Sequence, residues 1–179
     1  MEDYCPDFIA ITETWFESKD MPNSMFVDPN RYWCYRKDRP TRGGGVCLFV
    51  KCSLNLVITE ITLPDKFTDL ELLAVDIANA AVQPFRIIVA YRPPDSTSDT
   101  NQLLISALDW LANDSVRVCI VGDLNLPAFN WEQFLYPSSK LYDLFADFIS
   151  SHGLSQIADQ PARGNSILDI VLCSDVLVS

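Results

Sequence analysis

The segment at residues 116–127, VRVCIVGDLNLP, constrains this chain more than any other. Its first half is an apolar, β-branched run of the kind that forms a strand buried in a core. It then breaks at Gly122 and presents Asp123 and Asn125, so a core strand must deliver polar side chains to a cleft at its end. Side chains two apart on an extended chain project to the same side, which pairs the carboxylate with the amide. A carboxylate orients a water or holds a metal, and an amide donates to phosphate or orients a partner. Together they suit phosphoester hydrolysis. The alternative is an Asx-rich turn after a strand, a frequent structure without catalytic meaning.

Other runs share this strand character. Phe8–Thr12 in PDFIAITETW is a short buried strand with Glu13 at its end, and Gly43-Gly44-Gly45 is a turn feeding the strand VCLFV after the aromatic and basic stretch Tyr32–Arg42. Further strands are expected at Leu54–Ile61, in LELLAVDIA and FRIIVAYRPP with NAAVQP as a hairpin connection, and in SILDIVLCS. Between Asp99 and Leu111 the residues Leu103, Leu104, Ala107, Leu108 and Leu111 recur at helical spacing. A second helix is expected over Lys140–Ser151, with Leu141, Leu144, Phe145 and Phe148 on one face and His152-Gly153 closing it. At 179 residues and 49% hydrophobic, the chain suits one domain over 1–179, α/β or α+β with mixed sheets.

Composition removes several function classes. No apolar run approaches the ~20 residues of a membrane span, and MEDYCPDFIA lacks the pattern of a secretory signal. The chain is therefore expected to be soluble and intracellular, with no membrane partner. Six cysteines include no CxxC pair, and several sit in strand-like runs, so neither disulfides nor a zinc site is expected. The formal net charge of -11 counts against tight nonspecific binding to DNA, although a metal site built from carboxylates is itself acidic.

The other candidate residues carry competing readings. Asp169 is the single acid in ILDIVLC; buried there, it would need a partner or a metal, whereas a solvent-facing strand residue would need neither. Glu13 is a strand-end ligand or a turn acid. Magnesium takes one or two carboxylates with waters and phosphate oxygens, so acids from several strand ends suit it. Alternation places Glu71 on a wet sheet face or in a cleft, the wet face being favoured. Tyr91, ahead of Arg92 and a double proline, either supports charge at a phosphate or packs. His152, the only histidine, follows a helix and precedes Gly153. That position suits a residue facing the helix dipole better than a general base.

In this order, TET, RGGGV, AYRPP, VGDLN and SILDIVL resemble the motif series of the endonuclease/exonuclease/phosphatase superfamily across nearly the whole chain. The stretch HGLSQIADQPARGNSILDIVL looks like the matching region of non-LTR, LINE-type retrotransposon endonucleases, with Ala162 where Thr is usual. The resemblance implies a DNase I-like four-layer sandwich of two mixed β-sheets flanked by helices. It implies Mg2+ or Mn2+ as cofactor and DNA as partner, within a larger polyprotein carrying reverse transcriptase and acting in the nucleus. No obligate protein partner is evident. By the same similarity Glu13 is a metal ligand, Glu71 matches a family acid more loosely, and Tyr91 lies near the scissile phosphate. Asp123 and Asn125 then orient the attacking water and contact phosphate, and Asp169 is the later supporting acid.

Two departures stand out. The family's first strand, with its metal-holding asparagine, and its closing Ser-Asp-His motif are both expected to be missing, since Ser174-Asp175 lies too near the Leu-Asp strand to be that motif. Activity of this chain by itself is therefore expected to be weak or absent. A non-enzymatic remnant and a cellular phosphoesterase of the same superfamily are the alternatives.

Overall fold

The structure, a computed structural model, describes residues 5–16, 21–39, 43–79, 83–113, 117–158 and 169–174. Two sheets carry the architecture. The smaller contains β1 (Phe8–Thr12), β2 (Tyr32–Lys37) and β3 (Val46–Lys51), all antiparallel in the order β1-β3-β2. As the central strand, β3 is covered on both faces, which explains why Val46 to Val50 are all buried. Val46, Leu48 and Val50 face the second sheet, while Cys47 and Phe49 face outward beneath Tyr32, Phe16 and Phe26. That period of two is the strand's own geometry.

The larger sheet contains β4 (Val57–Glu60), β5 (Leu72–Ala78), β6 (Phe85–Tyr91), β7 (Arg117–Asp123), β8 (Leu154–Gln156) and β9 (Asp169–Ser174), ordered β4-β5-β6-β7-β9-β8. Only β6 and β7 run parallel, and such a pair needs a crossover, here the helix α1 (Ser98–Ala112). Thr97 caps it by accepting the Thr100 N–H at 3.2 Å. The second helix, α2, spans Lys140–Ser151.

Alternation sorts the large sheet into two packed faces. Leu72, Ala74, Ile88, Ala90, Ile120, Ile170 and Leu172 meet Leu104, Leu108 and Leu111 of α1 and Phe145, Phe148 and Ile149 of α2. Leu73, Val75, Ile77, Ile87, Val89 and Tyr91 meet the small sheet. Each large apolar side chain fully buried this way stabilises by roughly 1.5–3 kcal/mol. Among the described residues the order of layers is an irregular cover carrying Phe26 and Val27, the small sheet, the large sheet, and both helices. Beside β1 the sandwich opens into a cleft of about 450 Å3, lined by Phe8, Ala10, Cys119, Val121, Val171 and, at its rim, Asp169.

Most expected elements lie where pattern placed them; three differ. The stretch from Leu54 opens with a 3-10 turn at Cys52–Leu54 and a left-handed Asn55, so β4 starts only at Val57. The run YWCYRK forms β2, which its charges hide because an edge strand leaves much of its surface open to solvent. In β8 three residues are too few to show a period. Residues 166–168 of SILDIVLCS, and Ala162, lie outside the described residues.

Candidate active site

The acidic residues gather where the two sheets meet at one end. Glu13 follows β1 with a left-handed backbone (φ 52). Its carboxylate accepts the Tyr91 phenol at 2.5 Å, which joins the end of the small sheet to the end of β6. Glu71 immediately precedes β5, and its carbonyl accepts the Tyr91 N–H at 2.9 Å. The Glu71 carboxylate turns inward, accepting the Gly45 N–H at 2.5 Å and pairing with Arg39 Nη1 at 3.2 Å. The expectation of a wet sheet face for Glu71 is thus corrected: the residue precedes the strand ladder, and the glycine turn draws its carboxylate inward, into a small pocket it shares with Arg39, Tyr91 and Arg92.

The middle glycine of the triplet is required by this contact. Gly44 has φ +75, and a β-carbon on it would overlap the Glu71 carboxylate. Backbone bonds from Thr14 N–H to Gly45 O (3.3 Å) and Trp15 N–H to Gly44 O (2.9 Å) then pin the Glu13 loop against the same turn.

On the other side, β7 pairs with β6 so that Tyr91 stands opposite Asp123, and with β9 so that Asp123 stands opposite Asp169. Asp123 and Asn125 do come together, but not by extended alternation. Asn125 is left-handed (φ 50) and donates its backbone N–H to Asp123 Oδ1 at 2.7 Å, an Asx turn. Its side-chain amide donates to the Arg92 carbonyl at 2.8 Å, which ties the turn to the end of β6. Asp169 opens β9 and is exposed rather than buried. The expected cost of a lone interior carboxylate does not arise, because the residue stands at the sheet's end and not within it.

The convergence has electrostatic consequences. Burial pushes the Tyr91 phenol well above the ordinary tyrosine range, reinforced by its bond to Glu13 and by the charges of Glu13, Glu71 and Asp123. Tyr91 therefore remains a neutral donor at working pH. Burial likewise raises Glu71; the Gly45 N–H and Arg39 oppose that, and the charge of Glu13 adds to it. Among the described residues no three His, Cys, Asp or Glu side chains form a metal cage. A magnesium-type ion needs no such cage, since one or two carboxylates suffice beside waters and substrate oxygens. Glu71, near enough to Glu13 to feel its charge, and Glu13 itself fit that demand.

His152 lies away from these acids. It caps α2 and places Nε2 2.8 Å from Asp109 Oδ1 on α1, a helix-end role in keeping with its position in the sequence. Three residues beside the site were not anticipated. Buried Arg92 sends Nε to Asn101 Oδ1 (2.7 Å) and Nη1 to the carbonyls of Leu124 and Asn125 (3.2 Å each), while its N–H donates to Asp123 O (2.9 Å). Only its place between Tyr91 and a double proline hinted at this. Arg39 and Trp15 sit in loops without a periodic signal.

The chain matches the Endonuclease/Exonuclease/phosphatase family over residues 2–178. No curated protein matches it. Among solved structures it is similar to the endonuclease domain of TRAS1, a telomere-specific non-LTR retrotransposon, with a TM-score of 0.68 and 14% identity over 96% of this chain and 74% of that one. It is also similar to the 3'-5' exonuclease NExo from Neisseria meningitidis (TM-score 0.64, 14% identity, 97% and 78% covered). An AP endonuclease from Archaeoglobus fulgidus gives a TM-score of 0.61 at 14% identity, with 96% and 77% covered. At these identities the likeness shows the shared fold, the DNase I-like α+β sandwich.

Proposed function

This chain belongs to the endonuclease/exonuclease/phosphatase family, whose members generally depend on a divalent metal, and from that premise we propose that it is a phosphodiesterase domain acting on DNA, of the retrotransposon-nicking type. The observation that carries this reading is the meeting of Glu13, Glu71 and Asp123 around one neutral phenol at the end of the sandwich. Glu13 and Glu71 would hold the ion, Mg2+ or Mn2+, which supplies charge stabilisation at the phosphodiester.

The chain's own residues divide the remaining work. Asp123 orients the attacking water and accepts its proton at a carboxylate oxygen. Tyr91, held protonated, gives its one O–H to Glu13 in the structure, and with Glu13 engaged by the ion it turns that hydrogen bond to charge developing on the phosphate. Asn125 closes the turn that aims Asp123, and Asp169 borders the same strand end. A DNA target is supported by the nuclease neighbours; a larger polyprotein and a nuclear setting are part of the same proposal.

The test is nicking of supercoiled plasmid with Mg2+ or Mn2+ by this chain, by its Asp123→Ala variant, and by a form extended through its genomic flanks. Nicking by the chain or its extended form, reduced ~10²–10⁴-fold by the substitution, supports the reading. Folded proteins that never nick contradict it. The formal charge of -11 favours a second reading, the fold retained without catalysis. That reading requires that neither metal raise the melting temperature.

A further inference from the structure

Trp15 stands two residues beyond Glu13 and is 53% exposed. Its backbone is left-handed (φ 55), a conformation that costs a bulky residue energy and persists only where surrounding bonds enforce it. Here the enforcing bond is its own N–H to Gly44 O at 2.9 Å, on the turn that also holds Glu71. The indole edge passes 3.9 Å from the place a β-carbon would occupy on Gly43. The ring thus lies at ordinary contact distance from the turn while about half of the residue stays open. The other exposed tryptophans, Trp33 on β2 and Trp110 on α1, lie on elements that carry none of the site's acids.

A rigidly placed, half-open indole beside a phosphodiester site is suited to an unstacked nucleobase, because every base offers a π-face. We propose that Trp15 is the stacking platform for a nucleobase flanking the phosphate held at Glu13, Glu71 and Tyr91. This rests on the nuclease reading above and deepens it.

The test needs no turnover. Affinities at low ionic strength with Ca2+, an ion able to sit between the acids and a phosphate, are measured by fluorescence anisotropy for a short labelled single-stranded oligonucleotide and for an abasic one of equal length. Trp15→Ala is expected to weaken the base-bearing strand about fivefold to a hundredfold and to leave the abasic strand unchanged, while Trp15→Phe retains most of the difference. Unchanged abasic binding also shows that the variant is folded. Equal weakening of both strands, or of neither, overturns the proposal while the nuclease reading stands. If the wild type binds neither strand, the DNA reading itself fails and the inference falls with it.

Discussion

The two halves of the acidic site are held by opposite means. Glu13, Glu71 and Tyr91 bridge the sandwich: one follows the small sheet, two belong to the β5–β6 end of the large one, and the glycine turn before β3 ties them together. Asp123 and Asn125 belong to the large sheet alone and are anchored by Arg92, which reaches α1 through Asn101. The first half depends on how the sheets are apposed at one turn, so its geometry is separable from the fold. The second is tied to the core, and a substitution there costs stability before it costs geometry.

The largest effect is expected at Gly122, which has φ +138 and where a β-carbon would overlap the Ala90 carbonyl of the paired strand. Backbone cannot give way as a side chain can. Gly122→Ala should lower unfolding stability by roughly 3–5 kcal/mol, read from urea denaturation. A loss below about 1 kcal/mol would show that the Asp123 half is not tied to the core as described.

Next comes Arg92→Met, which leaves the Asn101 amide oxygen and the Leu124 and Asn125 carbonyls without their buried donor. A loss of about 2–4 kcal/mol is expected, and Arg92→Lys should recover little because an ammonium lacks the guanidinium fork. Full recovery by lysine would mean that charge alone holds the loop.

Gly44→Ala sharpens the contrast from the other side. The added β-carbon displaces the Glu71 carboxylate, a side chain able to move, so stability should fall by about 1–3 kcal/mol while divalent-ion binding is lost. Thermal melting and ion titration on one sample separate the two. Retained ion binding would remove Glu71 from the proposed ligands.

The smallest effect is a pH dependence. Burial holds Glu71 above its ordinary value of 4.5, so the folded chain binds that proton more tightly than the unfolded chain. Ionising Glu71 therefore subtracts stability as pH rises from 4.5 through the folded value, and below 4.5 that cost is absent. Glu71→Gln should gain on the wild type over this interval and then keep a constant advantage. A gap that closes with rising pH would contradict the burial.

The same contrast explains what was legible in the sequence. The Asp123 half announces itself because a single segment holds both the apolar strand and its polar end, and β1, β7, α1 and α2 show clear patterns for the same local reason. The other half is built from residues far apart in the chain. Nothing near Glu71 reveals that Gly45 reaches its carboxylate, and alternation alone only leaned it toward a wet face. Asp169 stayed open between burial and solvent for a related reason: its neighbours in sequence are apolar, and only its place at the start of β9 decides for solvent. Arg92 was hidden because a buried arginine is defined by its acceptors, which lie on a helix and a loop some distance along the chain.

The measurement closest to the central claim is calorimetric titration of Mn2+ into the wild type, Glu13→Gln and Asn101→Leu. The account predicts binding to the wild type, its loss in Glu13→Gln without loss of the fold, and its retention in Asn101→Leu despite lower stability. Equal binding by the wild type and Glu13→Gln, or none by a folded wild type, would contradict the assignment of the Glu13 and Glu71 pair as the seat of the metal.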